Sequence, residues 1–172
     1  MPQHHHHQRR SISNEELDPQ LTSVSRQVIG AAIEIHRALG PGFERDVYLN
    51  AFEIELNELG VSHRMNHKLP VFYKGEEVGK HTLDLYVNDR FAVCVLADRR
   101  EVGGLEITAL RAQLRAADLE LGLIINFGNT RLKEGLKRVL NPDKLNKLRG
   151  LPEDDEEDDD DSHESAYESD EE

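Results

Sequence analysis

Asp84, Cys94 and Leu96 carry the one spacing in this chain from which a reaction centre could be read. Asp84 opens Asp84-Leu85-Tyr86-Val87, a strand-like run that turns at Asn88-Asp89 into Phe91-Ala92-Val93-Cys94-Val95-Leu96. The second run is unbroken in apolar and small residues, the pattern of a strand buried on both faces. On two such strands, an acid on the first and a Glu-x-Lys on the second can hold a divalent cation and place a positive group near an attacking water. Only the acid is here. Cys94 and Leu96 stand at the other two places, and neither can bind Mg²⁺ or steady a hydroxide. As a lone thiol inside an apolar strand, Cys94 reads as a packed core residue with its pKa raised by burial rather than as a nucleophile. His63 and His67 have metal-ligand spacing only on a helix, and their surroundings lean to strand. The tract His4-His5-His6-His7 has no shaped site around it and reads as a tag remnant or polar tail.

Charge and length limit what these residues can serve. The chain has 172 residues, 37% of them apolar, enough for one modest core. Its formal charge is −13, and fourteen of its 34 acids lie in 153–172, which holds no Lys or Arg. The other twenty acids face all 21 basic residues, so the body is nearly neutral, which weakens a nucleic-acid reading without removing it. A single cysteine cannot close an intramolecular disulfide, and no run of about 18 apolar residues suggests a membrane span. The polar N-terminus lacks a secretory segment, so a cytoplasmic location is expected. Nine consecutive carboxylates from Glu153 to Asp161 cannot bury enough surface to fold and are expected to form an extended acidic tail. Such a tail can solubilise an assembling protein, attract a basic partner or compete with nucleic acid for a basic patch. Ser165 and Ser169, each with a Glu three residues on, match an acid-directed kinase pattern that such a tail produces by chance.

The elements that must position the candidate residues follow from periodicity. Leu21, Val24, Val28, Ala32, Ile35 and Leu39 recur at helical spacing, and Gly40-Pro41-Gly42 stops that helix. A second helix is predicted from Glu44 to Leu59, ended by Gly60. Short strands are predicted over Val61–His67 and Leu69–Tyr73, then Val78–Val87 and the buried strand ending near Ala97. A third helix is predicted from Leu105 to Asp118, a buried strand over Leu121–Phe127, and an amphipathic helix over Arg131–Leu140. The order α-α-β-β-β-β-α-β-α predicts a three-layer α/β/α sandwich with a mixed central sheet. The domain is expected over residues 18–150, between a tail over 1–17 and the acidic tail over 151–172.

Val28-Ile29-Gly30-Ala31-Ala32-Ile33-Glu34-Ile35-His36-Arg37-Ala38-Leu39-Gly40-Pro41-Gly42, with Tyr48, Gly122-Leu123-Ile124-Ile125-Asn126-Phe127 and Arg131-Leu132-Lys133-Glu134-Gly135, resemble the GxxExxY family of proteins related to PD-(D/E)XK nucleases. The resemblance spans roughly residues 21–140. It implies a nuclease-like metal site built from a helix Glu, a strand Asp, a Glu-x-Lys and a helix Gln. Carried onto this chain, the helix Glu falls at Arg45, the Asp at Asp84, the Glu-x-Lys at Cys94 and Leu96, and the Gln at Ala109. Glu44 is adjacent to Arg45, but on a helix it points about 100° away. Four of the five positions have lost their chemistry, which implies a degenerate site without metal or other cofactor. Asp84 is then expected to pair with Arg45 or another cation, or to sit solvated at a strand edge. His36, which resembles a histidine recurrent in the family, is expected to make a structural hydrogen bond near its helix end.

Two function classes follow. The first is a catalytically inactive nuclease-fold scaffold that binds itself as a homo-oligomer, or a basic partner through its tail. The second is a nucleic-acid binder or residual metal-dependent nuclease that uses Arg99, Arg100, Arg111, Arg115, Lys133, Lys137 and Arg138. A contiguous basic face beside Asp84 would favour the second.

Overall fold

A computed structural model describes residues 18–144. The two terminal tails, including the His4–His7 tract, the Glu153–Asp161 run, Ser165 and Ser169, lie outside the described residues.

Helix α1 runs Pro19–Leu39. Asp18 caps it by accepting a hydrogen bond from the backbone N–H of Gln20 at 2.8 Å, and Pro19 fills the first position, where a missing N–H costs nothing. Helix α2 runs Arg45–Glu58. Between them Gly40 and Gly42 both take positive φ, 69° and 116°, which lets the chain turn in three residues. Strands β1 (His63–Tyr73) and β2 (Glu76–Val87) form a long antiparallel hairpin. β3 (Phe91–Leu96), α3 (Gly104–Ala117) and β4 (Leu121–Asn126) form a parallel crossover, and β5 (Leu136–Leu140) closes the sheet antiparallel to β4. The sheet order is β1-β2-β3-β4-β5, a mixed five-stranded sheet.

Alternation along the central strands separates two cores. Phe91, Val93 and Val95, with Leu121, Leu123 and Ile125, face Val28, Ala32 and Ile35 of α1 and Tyr48, Phe52 and Leu56 of α2. On the opposite face Ala92 and Ile124 pack under Leu110 and Leu114 of α3, with Cys94 and Leu96 at the margin. The period-two pattern places α1 and α2 on one face and α3 on the other, the expected three layers. Helix α3 lies close: a Cβ at Gly122 would stand 2.8 Å from a Leu110 methyl.

Two predicted elements differ. The helix predicted over Arg131–Leu140 is a 3₁₀ turn, Leu132–Gly135, followed by β5. Gly135 sits against the Asn126 carbonyl, where a Cβ would come within 2.4 Å, so the chain is pinned beside β4. From there Leu136 to Leu140 pairs residue for residue with Ile125 to Leu121, filling the open edge of a strand buried along its whole length. The backbone groups of that edge would otherwise lack partners. The two short strands predicted over Val61–Tyr73 are one strand, β1, which carries Pro70 because it lies at the sheet edge.

Candidate functional site

The site forms where β2 leaves β3. Pairing between them covers only Leu85–Val87 with Phe91–Val93, so from Asp84 onwards the ladder is open. Asp84 fills the gap with its side chain, Oδ2 accepting the Val95 N–H at 2.8 Å. Its other oxygen, Oδ1, is gripped by Nη2 of Arg45, in a close ion pair. Arg45 also donates from Nε to the Val95 carbonyl at 3.1 Å. The guanidinium therefore lies between a carboxylate and a main-chain carbonyl, an oxygen pair that could otherwise share a cation. Asp84 is largely enclosed, its side chain 13% exposed, while Arg45 is 41% exposed.

Helix α2 brings Arg45 to this point because its first turn is clamped. The buried Tyr48 ring stacks on Phe127 at 4.4 Å and 8°. Its hydroxyl donates to the Gly40 carbonyl at 2.7 Å and accepts the Phe43 N–H at 3.2 Å, tying the glycine turn to the helix. His36 reaches the Asn129 carbonyl with Nε2 at 3.0 Å, the structural hydrogen bond expected near the end of α1. Asn126 binds the loops after β3 and β4 together. Its amide donates to the Asp98 and Arg100 carbonyls at 2.8 and 2.9 Å and accepts the Gly128 N–H at 3.0 Å.

Two recesses flank the Arg45–Asp84 pair. One, of about 200 Å³, is lined by Arg45, Asp84, Cys94, Leu96, His81 and Gln113 among others. The other, of about 370 Å³, lies between the start of α2 and the Leu96–Asp98 segment. Arg45 and Leu96 line both and form the wall between them.

The structure brings Arg45, Asp84, Cys94 and Leu96 together at one recess. Ala109 is exposed and lies outside its lining, whereas Gln113, one turn further along α3, contributes to it. Nothing in the sequence marks Gln113, because the family resemblance places the Gln at Ala109 and the spacing alone does not say where α3 meets the cleft. His63 and His67 are not in the site: His63 Nδ1 contacts the Val61 carbonyl, and His67 stacks on Tyr86.

The donors at this place fit a divalent cation poorly. Mg²⁺ or Mn²⁺ is held mainly through carboxylates, and the recess offers one carboxylate and the Val95 carbonyl, both already taken by a positive group, with only the Thr82 hydroxyl, the Gln113 amide and the His81 imidazole beside them. Burial, with the Asp84 charge beside it, pushes the Cys94 thiol up to about 11, so near neutral pH it is protonated. Among the described residues no group of three or more His, Cys, Asp or Glu could hold a metal ion, and no helix is long and apolar enough to cross a membrane.

A sequence profile of the PD-(D/E)XK nuclease superfamily matches residues 22–139. No curated protein and no solved structure matches the chain.

Proposed function

Because the chain belongs to the PD-(D/E)XK nuclease superfamily, we propose that it is a GxxExxY-type member that keeps the fold without the hydrolysis and works as a structural protein binding itself or a partner. One observation carries this reading: the Arg45 guanidinium lies across Asp84 and the Val95 carbonyl, where a catalytic cation would need those oxygens. With Cys94 and Leu96 beside it, the recess has neither a second carboxylate nor a lysine to assist water. Residues 22–139 still match the superfamily pattern, so what is retained is the folded surface.

The nucleic-acid reading has less support. Arg100 is engaged by Asp98 and Glu106, and Arg115 by Asp143. The remaining candidates are spread over the loop after β3, α3, the 3₁₀ turn and β5, and none lines the recess at Asp84.

Incubating the purified chain with single- and double-stranded DNA and RNA, in Mg²⁺ and in Mn²⁺, is expected to leave the substrates intact. Metal-dependent cleavage that disappears in Asp84→Ala would overturn the inactive-site reading. Light scattering at low micromolar concentration is expected to give a discrete oligomer, retained when residues 153–172 are removed but more prone to precipitate. A monomer in both forms, at low and high salt, would overturn self-association.

A further inference from the structure

Helix α2 contributes to the core through Tyr48, Leu49, Phe52 and Leu56, and its opposite side exposes two apolar residues among its polar ones. Val47 and Ile54, at i and i+7, fall within about 20° of one another around the axis and form an outward pair, with the half-buried Ala51 between them packed toward the core. Val47 is 39% exposed and Ile54 61% exposed, with no role in either core. Phe43, just before the helix, is half-exposed at the same end.

Acids border this pair. Asp46 and Glu53 fall on one flank, Glu44 and Glu55 on the other, and Glu58 at its C-terminal end. Arg45, the one basic residue of the helix, is turned inward onto Asp84 and Val95 and reaches only Asp46 of these acids, at 3.4 Å. Glu44, Glu53, Glu55 and Glu58 form no ion pair among the described residues. An apolar pair about 10 Å apart along the helix, flanked by carboxylates most of which have no ion-pair partner, is complementary to a helix with apolar residues at the same spacing and Lys or Arg on either side.

We propose that the outer face of α2 is a docking surface for a basic amphipathic helix of another protein. Its charge selects among occupants. A second α2 packed on the first would set carboxylates against carboxylates, and the acidic run of residues 153–172 would be repelled in the same way. The inference goes beyond the inactive-site reading and holds whatever the Asp84 recess does, since α2 uses opposite sides for the two.

The test uses the full chain and a fluorescent Leu/Lys peptide about four turns long, with Leu at i, i+3, i+4 and i+7, beside the same peptide with Glu for Lys. In anisotropy titrations the Lys peptide is expected to bind and the Glu peptide not. The double substitution Val47→Ser with Ile54→Ser removes the apolar pair without changing charge, and should weaken Lys-peptide binding roughly tenfold or more with the circular dichroism spectrum unchanged. Glu53→Gln with Glu58→Gln should weaken it several-fold and flatten its salt dependence, and decides the matter alone if the serine variant does not fold. Equal affinity in parent and variants would place the peptide on residues 153–172 and overturn the proposal, as would equal binding of both peptides. So would a fall in the parent's mass by light scattering in the serine variant with peptide binding intact, because the occupant would then be a second copy.

Discussion

Replacing Arg45 by Met tests whether the guanidinium stands in for a cation or merely rests on the surface. Methionine keeps the length of the stem and removes only the charge and its donors. Asp84, 13% exposed, would then keep the Val95 N–H as its remaining hydrogen bond, and the Val95 carbonyl would lose the donor at 3.1 Å. Breaking a fully buried pair from one side costs about 3–5 kcal/mol. Arg45 is 41% exposed, so water recovers part of that loss, and about 2 kcal/mol is expected. For a domain of this size that corresponds to a fall in Tm of about 6–10 °C. Urea denaturation followed by circular dichroism at pH 7 measures it, with Asp84→Asn and the double variant completing a cycle. The cycle should give a coupling of about 1–2 kcal/mol, since the two side chains are in direct contact. A loss below about 0.5 kcal/mol in Arg45→Met, the range of ordinary surface substitutions, would refute the reasoning and leave Asp84 satisfied without its partner.

The Cys94 thiol should be a poor nucleophile: alkylation by iodoacetamide at pH 8 should be far slower in the folded chain than in urea, and equal rates would place Cys94 in water. Because its pKa is raised from 9.0 to about 11 in the fold, the stabilisation is complete below pH 9 and is lost as pH rises from 9 to 11. Urea midpoints across that range should fall less in Cys94→Ala than in the parent, by up to about 2 kcal/mol. Gly128→Ala should cost about 2–3 kcal/mol, since its Cβ would meet the Asp98 carbonyl at 2.2 Å and force apart the loops after β3 and β4; an unchanged thermal midpoint would show that the loops yield freely.

Local pattern fixed much of this molecule before any tertiary contact was known. The apolar spacing from Leu21 to Leu39 and the Gly40-Pro41-Gly42 stop define α1 and its end, because a 3.6-residue period and a missing Cβ act within one turn of chain. The unbroken runs Phe91–Leu96 and Leu121–Asn126 declare strands buried on both faces, and the turn at Asn88-Asp89, where both residues have positive φ, sets their neighbour. Asp84, Cys94 and Leu96 meet in one recess for the same reason, since register follows from a short hairpin.

Other features depended on what lies opposite. Leu136-Lys137-Arg138-Val139-Leu140 fits a helix or a strand equally well by itself, and the open edge of β4 decided for strand. Gln113 rather than Ala109 faces the recess because the rotation of α3 is set by Leu110 and Leu114 packing on the sheet. Val47 and Ile54 are apolar, yet the side of α2 that carries Tyr48, Phe52 and Leu56 is the one that packs on the sheet, and they are left outside. The sequence listed Arg45 as one partner Asp84 could take. Only the fold, by laying α2 across the point where β2 leaves β3, put that cation 39 positions from the carboxylate it neutralises. Residue chemistry is local and can be read one side chain at a time, whereas the partner of a charge is chosen by chain segments that meet only when the core closes.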